Sequence, residues 1–155
     1  MIDLLHTKNN IHCVTNFQDL VSTAFQGDMN AICWKRDLKG DFSEIVKKIE
    51  LHENIMVLKE EDLLKLHLSE QGKIAREVLL NDLKMLRAQG ADPILNLIKN
   101  YDRDEAYPFF PTDVYSFHVD RSPIPTSTFL CTYYGESSLS ILANNLFVDD
   151  ALEHA

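Results

Sequence analysis

The chain has 155 residues, 45% of them hydrophobic and 25% charged, a size and balance that suit one soluble globular domain with a real core. Its formal charge of −9 disfavours nucleic acid or an anionic lipid surface as a partner. No apolar run exceeds about five residues, so no segment is expected to span a membrane.

The N-terminus, MIDLLHTKNN, shows neither a basic n-region nor a long apolar stretch, and the cytoplasm is the expected compartment. Three widely spaced cysteines, Cys13, Cys33 and Cys131, are odd in number and argue against a disulfide framework. The charge is uneven: residues 101 to 155 carry 2 basic and 9 acidic groups. An acidic cluster of this kind can attract cations, although a solvated acidic face is its commoner origin.

In NFQDLVSTAFQG, the stripe Phe17, Leu20, Val21 and Ala24 predicts a helix that Gly27 can close. MNAICW, residues 29 to 34, reads as a short strand. DFSEIVKKIE predicts a helix with Asp41 as N-cap and Glu44 three residues on, as in a capping box. Phe42, Ile45, Val46 and Ile49 form its buried stripe. IMVL, residues 55 to 58, is a second predicted strand, and EEDLLKL opens a helix with acids where the dipole favours them.

The longest helix is predicted from about Ser69 to Gln89, stopped by Gly90, with Ala75, Leu79, Leu83 and Leu86 on one face. Ile74 and Val78 lie beside that face. Gly72 falls inside it, where glycine costs about 1 kcal/mol relative to alanine, and a close helix contact is its plainest explanation. Asp92 then caps a further predicted helix with Pro93 at its first position, carrying Ile94, Leu95, Leu97 and Ile98 towards Tyr101. These stripes read as core rather than as a cofactor box.

The pattern changes at YDRDEAYPFFPTD, where prolines and aromatics mark a structured loop. Two strand-like runs follow, DVYSFHVD and TSTFLCTYY, joined by the stiff connection RSPIP. The fold class expected is α+β, in a single domain spanning 1 to 155. A helical part, about 16 to 101, precedes a small antiparallel sheet at about 111 to 145.

If 114 to 120 is a strand, Ser116, His118 and Asp120 share one face, and Tyr115, Phe117 and Val119 the other. Imidazole and carboxylate side by side are two arms of the facial triad of non-haem iron sites. Fe(II) or Zn(II) is therefore the candidate cofactor, with His118 and Asp120 as ligands. A chain with six His offers His-x-Asp readily by chance, and a hydrogen bond between the two residues is the competing reading. A third ligand is not evident, since the only downstream histidine is the penultimate His154.

Arg121 reads as a carboxylate clamp or as the partner of an acidic loop. Cys131, at the same parity as Phe129 and Tyr133, reads as a buried structural thiol rather than a nucleophile. Tyr133, Tyr134 and Glu136 could line a site. His12 and Cys13 are adjacent, diverge in an extended chain, and have no CxxC or HxxxH partner. His52 and His67 are isolated. No GxGxxG, Walker A or GxSxG pattern supports nucleotide binding or serine hydrolysis.

Three segments together, MNAICWKRDLKGDFSEIV, LSEQGKIAREVLLNDLKMLRAQGADPILNLI and FFPTDVYSFHVDRSPIPTSTFLCTYYGE, resemble a bacterial conserved-domain family of unknown function. The resemblance covers about residues 16 to 140, and some members are encoded near zinc-responsive genes. In its His-x-Asp element alone, the family is similar to jelly-roll oxygenases that use Fe(II) and 2-oxoglutarate. The match falls on His118 and Asp120 and implies an incomplete jelly-roll-like core.

The resemblance also implies a distal histidine in a C-terminal segment with a His-Arg pair, which the sequence to Ala155 does not match. It leaves three readings: a metal protein with an oxygenase-like site, a non-catalytic metal-homeostasis or interaction module, and a truncated member with no active site. The acidic C-terminal region, a homo-oligomer contact or a partner subunit is expected to cover the sheet edge near TSTFLCTYY.

Overall fold

The computed structural model describes residues 10–99 and 127–135, which fall into two compact units, 10–37 and 38–99 with 127–135. Helices and small sheets occur together, so the chain is an α+β protein. None of the helices among the described residues is long and apolar enough to cross a membrane.

The first unit is a strand, a helix and a strand: β1 (Ile11–Val14), α1 (Phe17–Ser22) and β2 (Ala31–Trp34). The strands pair in parallel, with Ile11 opposite Ala31, Cys13 opposite Cys33 and Val14 opposite Trp34. Parallel neighbours need a crossover rather than a tight hairpin, and α1 lies within that crossover. Asn16 caps the helix, its side chain accepting the Asp19 amide at 2.8 Å.

The helix is shorter than predicted. Thr23 is already extended at its C-cap, so Ala24 lies outside, and Gly27 stands in the later turn with φ +56°. None of its residues is buried, so packing does not hold a further turn against the weak helix propensities of Val21, Ser22 and Thr23. Trp34 organises the unit: it meets Phe17 at 6.0 Å between ring centroids and donates to the Thr15 carbonyl at 3.0 Å. The Arg36 guanidinium lies 4.2 Å from the centre of its ring.

The second unit contains α2 (Phe42–Lys48), β3 (Ile55–Leu58), α3 (Glu60–Lys65), α4 (Glu70–Ala88) and β4 (Leu95–Ile98). Its core joins Phe42, Ile45, Leu58, Leu63, Ala75, Leu79 and Leu97. The α4 stripe is buried at Ala75, Leu79 and Leu83 and half-buried at Leu86. Gly90, at φ +81°, closes the helix in a Schellman motif. Its amide donates to the Arg87 carbonyl, and that of Ala91 to the Leu86 carbonyl.

The helix predicted after Asp92 is instead strand β4. It pairs antiparallel with β3, Leu97 opposite Met56 and Leu95 opposite Leu58. An apolar run this short is ambiguous by periodicity, and Pro93 biases Asp92 towards extended backbone. Pairing decides the matter: Leu95 and Leu97 turn towards the core, and Ile55, Val57, Asn96 and Ile98 are exposed.

The junction of α2 and α4 explains Gly72. Asp41 accepts the Glu44 amide at 3.1 Å as the expected N-cap. The Glu44 carboxylate does not complete a capping box; it accepts from the amide and hydroxyl of Ser69, the N-cap of α4, at 2.9 and 2.6 Å. A Cβ on Gly72 would overlap that carboxylate, so the glycine marks the close contact anticipated from sequence.

Lys48, 2.8 Å away, and the Ser69 bonds hold the Glu44 carboxyl at about 2, below its ordinary 4.5. A depressed carboxyl stabilises the fold fully above its unfolded value and loses that contribution as pH falls through the folded one. The stability gap between wild type and Glu44→Gln is therefore expected to shrink from about pH 4.5 down to about pH 2. Urea midpoints measured across that interval check it.

Candidate functional site

Of the residues singled out for chemistry, Ser116, His118, Asp120 and Arg121 lie outside the described residues, as does Glu136. Cys131 and Tyr133 are within them. Residues 127 to 133, expected as a strand, form neither strand nor helix. The sheet edge expected there is correspondingly not formed by these residues.

Cys131 is exposed, not buried as its parity with Phe129 and Tyr133 suggests. Alternation dictates facing only when a ladder holds the chain pleated. Without one, Phe129 is 37% exposed, and specific partners draw Tyr133 inwards.

Those partners come from two helices. The Tyr133 ring stacks on Phe42 of α2 at 5.7 Å between centroids. Its hydroxyl donates to Asp82 Oδ2 of α4 at 2.8 Å. Asp82 is the buried charged residue of the described core, 5% exposed, one position from the Leu83 of the apolar stripe. A carboxylate inside an apolar face needs a donor to offset its desolvation, and Tyr133 supplies one from 51 residues away.

Burial, followed by the Asp82 bond, raises the Tyr133 phenol well above the usual tyrosine range. The phenol is therefore a protonated donor near neutral pH, suited to anchoring rather than to acting as a base. Tyr133→Phe removes a hydrogen bond to a charged group and is expected to cost about 2 kcal/mol. A lower urea midpoint with an unchanged slope would register that loss; an unshifted midpoint would show the bond to be dispensable.

Among the described residues, no three His, Cys, Asp or Glu side chains are grouped so as to hold a metal ion. His12, His52 and His67 are exposed. One pairing escaped the sequence reading: Cys13 and Cys33, twenty residues apart in sequence, are register partners across β1 and β2. The available signal was a pair of short β-rich runs, IHCV and AICW, flanking a capped helix. Compared with family models, curated proteins and solved structures, the chain gives no match.

Proposed function

We propose that this protein binds one Fe(II) or Zn(II) ion through His118 and Asp120, in an arrangement like that of the non-haem oxygenases. The observation carrying this reading is the sequence VYSFHVD, whose i, i+2 spacing would set imidazole and carboxylate on one face of a strand. That donor set suits either ion. In a strand Ser116 would share that face, and Arg121 would offer a bidentate fork for a carboxylate such as that of 2-oxoglutarate. The attachment of Tyr133 to Asp82 and Phe42 supports the reading, because it ties the end of the same sequence block to a packed helical unit.

A facial triad requires a third ligand besides His118 and Asp120. Cytoplasmic residence accords with three widely spaced cysteines, an odd number that does not suit a disulfide framework. The acidic balance of residues 101 to 155 favours a second reading, a metal-handling or interaction module without turnover.

Elemental analysis of protein purified without chelator tests metal binding. Wild type is expected to carry stoichiometric metal, and His118→Ala, at equal folding by circular dichroism, to lose it. Equal metal content in the two proteins would overturn the proposal. Consumption of 2-oxoglutarate under oxygen would then select the oxygenase reading, and bound metal without consumption the module.

A further inference from the structure

We propose that Cys13 and Cys33 form a dithiol site that reacts with small organic disulfides of the glutathione class and closes to an intramolecular disulfide. The two residues are direct partners in the parallel β1–β2 ladder, and both are free, exposed thiols. Partners in a ladder project from the same face of the sheet. Neighbouring strands lie about 4.8 Å apart, inside the range of Cα separations that a disulfide spans.

Val14 and Trp34 project from the other face, where Trp34 meets Phe17 of α1. Among the described residues, the thiol face is the exposed one. Its other members are Ile11, 40% exposed, and the small Ala31, so a small peptide disulfide can approach. A two-stranded ladder of four residues per strand is also weakly held, and it can adjust locally to bring the sulfurs into bonding distance.

The reaction balances as two exchanges. One cysteine thiolate attacks a sulfur of the organic disulfide; the S–S bond breaks, one small thiolate leaves, and a mixed disulfide remains on the protein. The second cysteine thiolate attacks the protein sulfur of that mixed disulfide and expels the other small thiolate. In total two protein thiols are oxidised to one disulfide, and one small disulfide is reduced to two thiols. The strand spacing exceeds the relaxed Cβ separation of about 3.8 Å, so the closed form is strained and a modest excess of small thiol reopens it.

The test treats the whole chain carrying Cys131→Ser with glutathione disulfide near neutral pH, followed by alkylation, intact mass and peptide mapping. The expected product is lighter by two hydrogens, carries no glutathione, and yields a Cys13–Cys33 linked peptide. Adding Cys13→Ser or Cys33→Ser is expected to leave one glutathione on the remaining cysteine. Closure in the native protein should be at least about tenfold faster than in denaturing urea, where a disordered connection supplies only a millimolar effective concentration. Glutathione retained without a cross-link, or closure equally fast in urea, would overturn the proposal.

Discussion

Gly40→Ala is expected to destabilise the second unit by about 3–4 kcal/mol, through backbone strain and overpacking combined. Gly40 has φ +106°, a conformation that a residue with a Cβ rarely adopts. An added Cβ would also run into the α4 backbone at Ala75, 2.7 Å from its Cα and 2.9 Å from its Cβ. Neither neighbour is the movable end of a long side chain, so the loop before α2 or the helix itself would have to shift. Ala75 is fully buried, and displacement there disturbs the core directly.

Gly90→Ala is the internal control. Its φ of +81° imposes comparable strain, but its Cβ would meet nothing within 4 Å, and a loss of about 1 kcal/mol is expected. Urea denaturation of both variants separates the two contributions. If Gly40→Ala proved no worse than Gly90→Ala, the close approach to α4 would be refuted as the reason for glycine.

Leu63→Ala carries the second large effect, about 3 kcal/mol. Leu63 is the fully buried large side chain of the described core, with 0% exposure, and truncation there loses transfer energy and leaves a cavity. Its surroundings have little freedom to collapse. The Arg76 guanidinium reaches the Leu63 carbonyl at 3.5 Å, and Glu60 pairs with Arg87 of α4. Both contacts tie α3 to the long helix. Leu64→Ala at the adjacent position, 57% exposed, should fall within about 0.5 kcal/mol of wild type. A small effect at both positions would mean that α3 adds little to the core.

The difference between these neighbouring leucines illustrates what could be read locally. Helices with an N-cap residue, an apolar stripe of several turns and a glycine stop were legible: α4 has Ser69, the Ala75–Leu79–Leu83 stripe and Gly90 where the pattern places them. The strand at 55–58 was legible as well. Short segments that fit two periodicities equally well were not. LNLI satisfies a helical stripe as readily as an alternating strand, and only its ladder with β3 selects the latter. Cys131 has an inward parity in the sequence but no ladder to enforce it.

For the candidate site, the readable part was the choice and spacing of residue types. His118 and Asp120 at i and i+2 have the residue types and spacing of a donor pair, and a dense aromatic block surrounds them in the sequence. By itself, the sequence determined the α+β class and the caps and apolar faces of the longer helices. These depend on interactions within a few residues, which periodicity and side-chain chemistry express directly.

Only the tertiary structure brought Tyr133 to Asp82, turned Glu44 from its own helix to Ser69, and set Cys13 opposite Cys33. Each of these joins residues 20 to 51 positions apart. The partner of such a contact is chosen by packing and strand register, which no local pattern encodes.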